Sequence, residues 1–353
     1  MQISNKTVLL APLNWGLGHA TRCIVVIQHL QALNCKVIVA SDGEALQFLK
    51  GEFPDLQFLE LPSYKIKYAQ SKFFFKLKLA SQLFKIYKIY KAEKKVVAQW
   101  VFDYGIDLII SDNRMGVVSN QVPSVYITHQ LTVLSGFSTW LTTKMHQQII
   151  KQFTCCWVPD FEDAKKSLAG ILAQADLLNI KKIGPLSRLY KTDVAITIDV
   201  LFLVSGPEPM RKQLENIFRK EIAQLTDKKM VLVCGLVEAE QRITINKQTT
   251  IYNFATSEQM NFLMNQAELI VCRSGYSTIM DLSLLQKKAL LIPTPGQNEQ
   301  EYLAEYLQSQ NFLPFVPQAA FTFAALQIDT KYKGLPVGKP LPMLLIQQLL
   351  SEL

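Results

Sequence analysis

Apolar residues along the chain fall into short runs bounded by Gly, Pro or polar turns, and these alternate with longer stretches in which they recur at helical spacing. The first run, Thr7 to Pro12, reads as a strand and enters LNWGLGHATR, where Gly16 and Gly18 precede a helix from about Ala20 to Leu33. Val37 to Ala40 is the next strand, giving a βαβ unit with a Gly-rich first turn. Further strands are expected at 56–61, Asp107 to Ser111, Val122 to Thr128 and Cys155 to Val158, with a helix over Trp140 to Phe153. Lys181 to Arg188 reads as a Gly-Pro turn leaving this first unit.

The pattern then restarts. Val200 to Val204 is a strand ending in Ser205-Gly206-Pro207, followed by a helix over Pro209 to Gln224, a strand at Met230 to Cys234 and a short strand near Thr250. A helix at Ser257 to Gln266, a strand at Glu268 to Cys272, a helix opening at Tyr276 to Thr278 and a buried strand at Ala289 to Ile292 complete the series. Strands alternating with helices predict an α/β fold with parallel sheets. The repetition predicts two Rossmann-like domains, 1–188 and 189–340, facing across a cleft, and an apolar helix over 341–353 that crosses back onto the first domain.

Composition agrees with a compact protein holding two cores: 353 residues, 49% of them hydrophobic, with no biased tracts. The six cysteines show no CxxC or zinc spacing and several lie in strand-like runs, so they read as buried free thiols in a reducing compartment. NKTVLLAPL lacks the length and cleavage site of a signal peptide, and no apolar run approaches membrane-spanning length. A cytoplasmic protein is expected.

The net charge of +8 is uneven, because the ten Lys and one Glu between Lys65 and Lys95 contribute +9 and leave −1 for the rest. Basic residues interleaved there with Phe and Tyr fit a segment resting on an anionic membrane surface, which would make the protein peripheral on the inner membrane face. A solvated Lys-rich face over a buried apolar one fits equally, and no nucleic-acid partner is expected.

Candidate chemistry concentrates between Cys272 and Glu301. Ser274 and Gly275 form a tight turn before a helix whose free N–H groups favour an anion such as phosphate. Asp281, one helical turn further in, is placed for hydroxyls, while Gln297, Asn298 and Gln300 offer amides. Such phosphate, diol and amide readers suggest a nucleotide-sugar pocket; an ordinary βαβ unit with a glycine turn and an N-terminal helix charge is the alternative. In the first unit Gly16-x-Gly18 lacks the third glycine of the dinucleotide fingerprint, which argues against a dehydrogenase. His19, at the helix start, is placed to take a proton from an alcohol or simply to cap the helix. Asp112, Asn113 and Arg114 end one strand and His129-Gln130 another, on the edge His19 shares.

LNWGLGHATR, together with VCRSGYSTIMDL and LIPTPGQNEQE, resembles the two-domain GT-B glycosyltransferases, and most of all family 28, which contains the N-acetylglucosaminyltransferase that forms lipid II. The resemblance implies a nucleoside diphosphate sugar, most often a UDP-sugar, in the second domain. Ser274, Gly275, Ser277 and Thr278 would hold its diphosphate, with Arg273 beside them; Asp281 would bind ribose hydroxyls and Gln297, Asn298 and Gln300 the sugar. Arg188 would pack near the base, Phe254 would present backbone to the uracil, and Ser205 and Gly206 would form a second loop at the cleft. His19 would be the base, with Asp112 the other catalytic candidate, and Gly16, Gly18, Asn113 and His129 would lie on the acceptor side. The family's acidic residue after its fifth-strand His is absent, since Gln130 follows His129.

The expected reaction is inverting and metal-independent, for no Asp-x-Asp motif ends a strand, and no cofactor is expected. The acceptor would be lipid-linked or a glycan. A UDP-sugar epimerase of the same fold and a non-catalytic sugar-nucleotide-binding subunit are the alternatives.

Overall fold

The computed structural model describes residues 5–64, 75–224, 227–236, 238, 240–246 and 248–353. The front of the Lys-rich segment, including Lys65, Lys67 and Lys72, lies outside the described residues. Two sheets carry the chain. The first has seven parallel strands in the order β3-β2-β1-β4-β5-β6-β7: β1 Thr7–Pro12, β2 Lys36–Ser41, β3 Gln57–Glu60, β4 Leu108–Asp112, β5 Ser124–Ile127, β6 Cys155–Val158 and β7 Ile180–Lys182. Its helices are α1 Gly18–Ala32, α2 Gly43–Glu52, α3 Phe75–Asp103 and α4 Thr139–Ile150.

The second sheet runs β10-β11-β9-β8-β12-β13, with β8 Ile198–Leu203, β9 Met230–Val233, β10 Ile243–Asn246, β11 Thr249–Tyr252, β12 Ala267–Cys272 and β13 Lys288–Leu291. Only the β10–β11 pair is antiparallel. Here the helices are α5 Met210–Ile222, α6 Ser257–Gln266, α7 Tyr276–Leu285 and α8 Asn298–Ser309, with α9 Met343–Ser351 last.

The strands form because both faces of each sheet are covered. In β1, Val8 and Leu10 join the core beneath α1, whereas Leu9 and Ala11 pack with Val97 and Val101 of α3 on the other face. A run in which every residue is apolar is the signature of such a doubly covered strand. The tail reaches the first sheet: His29 of α1 meets the Leu341 carbonyl at 2.8 Å, and Glu352 pairs with Lys181 of β7. All six cysteines are buried and free of disulfides.

Several features differ from the sequence reading, the unread helix α2 among them. The Lys181–Arg188 turn begins inside a strand, β7, at the sheet edge. β10 is an exposed edge strand, so no burial pattern marks it. Arg114, read as part of a polar cluster at the ligand edge, is instead sealed in the fold. It donates to Glu93 (2.8 Å), Asp42 (2.6 Å) and the Pro62 carbonyl (2.7 Å), tying β4 to α3 and to the start of α2.

Both sheets reverse direction of winding at one point, β1/β4 in the first and β8/β12 in the second. The crevice beyond the carboxyl ends of strands at such a point is where open α/β sheets bind ligands. Here the two crevices meet, for α1 packs against α7.

Arg114→Ala would leave Asp42 and Glu93 buried without their counter-charge. Urea unfolding is expected to show a loss of about 3–5 kcal/mol; a loss below ~1 kcal/mol would contradict the role given to this network.

Candidate functional site

The first crevice is built around Asp112, the last residue of β4, which has no exposed surface. Three residues apart on the first turn of α1, His19 and Arg22 share the helix face that meets it. Arg22 Nε donates to Asp112 Oδ2 at 2.7 Å, its Nη2 reaches Oδ1, and His19 Nδ1 lies 3.0 Å from Oδ1. Burial pushes the Asp112 carboxyl up, but Arg22 and His19 prevail and hold it well below the usual carboxylate range. The same burial, with Arg22 alongside, lowers His19 below its ordinary value although Asp112 opposes this. The lowered value favours a neutral imidazole; Arg22 Nη2 also lies 3.0 Å from Nδ1, and with the proton on Nδ1 facing Asp112 the free Nε2 would be an acceptor. Asp112, expected as an alternative base, has both oxygens occupied and no open face; it positions His19. Gly16 adopts φ +71, which favours glycine, and a Cβ there would meet open space. Asn113 stands just after β4 in the left-handed region, φ 59.

The second crevice presents the start of α7. Gly275 is its N-cap with φ −73, so glycine is not required by backbone conformation; what matters is the open space where a Cβ would project. No side chain caps this helix, so the N–H groups of its first turn face the crevice without an internal partner. Ser277 donates to the Gly18 carbonyl at 3.0 Å across the seam, while Thr278 is half-buried with its hydroxyl uncommitted. A Cβ at Gly18 would lie 2.7 Å from Ser277 Oγ, so any larger residue there would displace the Ser277 hydroxyl from this contact.

Ser205 and Gly206 are exposed at the end of β8, and a Cβ added at Gly206 (φ +106) would lie 4.0 Å from Thr294 Oγ1. That hydroxyl is buried and unpartnered, a second polar group aimed at the same loop. Asp281 accepts from Ser187 Oγ. Burial raises its carboxyl to about 6 against the pull of Arg188 and Ser187. Arg188 lies over the Phe48 ring of α2 at 5.6 Å, with its Nε buried and unpartnered.

Several expected contacts are corrected. Arg273 does not face the crevice: its guanidinium donates to the carbonyls of Ile292, Pro293 and Met210 and to Gln318. The Ser274 hydroxyl is spent on the Gln300 carbonyl (2.7 Å), and Gln300 Oε1 accepts from Thr294 N (2.9 Å), so these two side chains brace the turn and loop. Gln297 is the N-cap of α8. Asn298 reaches the Leu134 carbonyl of the first half at 3.4 Å, and the Phe254 carbonyl accepts from Gln241.

His129, expected on the acceptor side, is 4% exposed and stacks on Tyr276 of α7 with ring centroids 3.9 Å apart and planes 9° apart. Its Nε2 lies 2.8 Å from Glu299 Oε1, and Gln130 donates to the other oxygen. Sequence reasoning missed Arg22 as a partner, Thr294, Tyr276 and Glu299. For Arg22 the signal was present, an i,i+3 spacing from His19. Among the described residues no His, Cys, Asp and Glu cluster could hold a metal ion, and no helix is long and apolar enough to cross a membrane.

Residues 201–330 match the glycosyltransferase family 28 C-terminal domain. Over 332 residues, 90% of this chain and 84% of the relative, the sequence is 21% identical to a UDP-N-acetylglucosamine--N-acetylmuramyl-(pentapeptide) pyrophosphoryl-undecaprenol N-acetylglucosamine transferase of Flavobacterium psychrophilum. A Clostridium tetani protein of the same name is 24% identical over 283 residues, 78% of this chain and 75% of its own. Among solved structures, MurG of Acinetobacter baumannii superposes with a TM-score of 0.58 at 14% identity, covering 99% of this chain and 100% of that one. With two facing α/β crevices, and that domain on the half bearing the uncapped helix, the chain is a glycosyltransferase of the GT-B fold that resembles family 28.

Proposed function

We propose that the protein transfers a sugar from a UDP-linked donor to an acceptor hydroxyl, with inversion at the anomeric carbon and without a metal ion. The observation that carries this is the apposition of a neutral His19 to the uncapped start of α7, joined through the Gly18–Ser277 hydrogen bond. The UDP-sugar is supported by the relatives, whose names specify UDP-N-acetylglucosamine.

His19 Nε2 takes the proton from the acceptor hydroxyl as its oxygen attacks the anomeric carbon. The bond from that carbon to the diphosphate oxygen breaks on the opposite face, and UDP departs with the electron pair. Negative charge growing on the leaving oxygen meets the backbone N–H groups at the start of α7. Asp112 holds His19 in the tautomer that can act and stabilises the imidazolium that results. Asp281 and Arg188 are assigned to the nucleoside, and the Ser205-Gly206 loop with Thr294 to the phosphates.

A lipid-linked acceptor is supported by the pyrophosphoryl-undecaprenol in the relatives' name and by a surface on the first half. Trp140, Leu141 and Met145 of α4 are exposed, with Lys144 Nζ 4.7 Å from the Trp140 ring. Beside them α3 exposes Lys85, Lys88, Lys91 and Tyr87, and Gln152 just past α4 bonds Tyr90 and Lys94 of α3, so the two helices form one face. Apolar rings among lysines suit an anionic membrane surface, which would seat the protein peripherally on the cytoplasmic leaflet.

Calorimetry is expected to detect UDP, and a product assay to detect UDP release from UDP-N-acetylglucosamine that EDTA leaves unchanged; an isomerised sugar nucleotide in place of UDP would overturn the transfer. His19→Ala should lower kcat by about 10² to 10⁴, and a change of only a few-fold would remove His19 from the mechanism.

Folded Asp281 keeps its proton up to about pH 6, whereas an unfolded Asp releases it near ~3.9. The folded state thus binds more protons between those values and loses stability as pH rises through that window. At neutral pH Asp281→Asn should therefore stabilise the fold by up to about 3 kcal/mol while weakening UDP binding; a destabilised Asn variant would contradict this.

Trp140→Glu should reduce low-salt cosedimentation with phosphatidylglycerol vesicles several-fold without changing UDP binding. Equal sedimentation of the two forms would remove α4 from the membrane face.

A further inference from the structure

The first crevice holds a second histidine whose partner comes from the other half of the molecule. His129 follows β5, and Glu299 stands in the first turn of α8, 170 residues away in sequence. Their 2.8 Å contact crosses the seam, and Gln130 donates to the same carboxylate. The His129 ring is clamped flat on Tyr276, whose hydroxyl donates to the Pro159 carbonyl at 2.7 Å, so the imidazole has no freedom to turn.

The Glu299 side chain keeps 35% of its surface exposed, yet its carboxylate is directed at the first half. One oxygen meets His129 Nε2 at 2.8 Å and the other accepts from Gln130, so both are engaged by the first half. A carboxylate hydrogen-bonded to one ring nitrogen fixes the proton there and leaves the other as an acceptor. In His129 that other nitrogen, Nδ1, is buried and has no partner.

We infer that Glu299 is a positioning residue of the transferase: from the donor half it fixes the orientation and tautomer of His129 in the acceptor half, as Asp112 does for His19 from within one domain. The acceptor side is then complete only when the halves are together, and the loop that leads to α8 links donor binding to that completion. Thr294, Gln297 and Gln300 shape this loop through the Thr294 N–Gln300 Oε1 and Gln297 N–Thr294 O hydrogen bonds. This role rests on the transferase reading above.

Two measurements on the full-length protein test it. Long-range ¹H–¹⁵N imidazole spectra should show His129 as the Nε2–H tautomer in the wild type, a tautomer mixture in Glu299→Ala, and recovery in the exchange Glu299→Gln with Gln130→Glu, which returns a carboxylate to the pair from the other domain. UDP release from UDP-N-acetylglucosamine should fall ~10-fold or more in kcat in Glu299→Ala with donor KM within about 3-fold, and should return to within about 3-fold of wild type in the exchange.

An unchanged tautomer in Glu299→Ala overturns the inference, as does an exchange variant that binds UDP yet turns over no faster than Glu299→Ala. A wild-type protein that releases UDP from no sugar nucleotide would count against the transferase reading instead, and the imidazole spectra alone would then decide the role of Glu299.

Discussion

The structure hinges on one buried charge. Asp112 ends β4 at a point with no exposed surface, where an unpaired carboxylate would cost several kcal/mol. It is tolerated because α1 begins where it does, at Gly18, which brings Arg22 and His19 onto it together. That requirement sets the entry of α1, and with it the position of the Gly18 carbonyl that receives Ser277 from the second half. A buried ion pair is weak evidence of stabilisation, and the pair here is better understood as fixing geometry: it orients a histidine at the mouth of a crevice, while burial is what lowers that histidine below its ordinary value.

The second half solves the opposite problem. In the proposed transfer its crevice receives a charged group, yet the cationic side chain nearest the turn, Arg273, is turned away and bonded to three backbone carbonyls and an amide. Ser274 and Gln300 are likewise consumed in bracing the turn against α8. What remains facing the crevice is backbone: the uncapped N–H groups of α7 and the glycine loop after β8. Rigid dipoles that need not reorganise are well suited to charge that grows during a reaction, because they are already aligned when it forms.

Much of this was legible in the residues. Strands covered on both faces give unbroken apolar runs, so β1 and β6 were placed to the residue, and the helix at Ser257–Gln266 was placed as well, behind the Thr256–Gln259 capping box. The helix α2 went unread because it buries only Ala45, Leu46 and Leu49, too few for a clear stripe. The direction of Arg273 was recoverable from strand parity. In β12, Ile270 and Cys272 face the core shared with the first half, and Val271 faces the core under α5, so the next residue in Val271's phase points toward α5. Glu299 could not be recovered, since it was overlooked between two amides and its partner lies across a domain seam that no local pattern encodes.

The seam also limits where a sugar can sit in the proposed transfer. An inverting displacement needs the base and the leaving oxygen on opposite faces of one carbon, yet Gly18 and Ser277 are in direct contact, 3.0 Å apart, with His19 and the α7 start immediately adjoining. Nothing fits between those two residues, so the ring must lie beside their contact rather than through it. Open space borders the contact at two places, Gly16 before α1 and Gly275 before α7, where an added Cβ would touch nothing. A sugar lying against these glycines could show one face to His19 and the other to the helix start while the seam stays closed, which accounts for glycine at Gly275 although its backbone conformation would admit any residue.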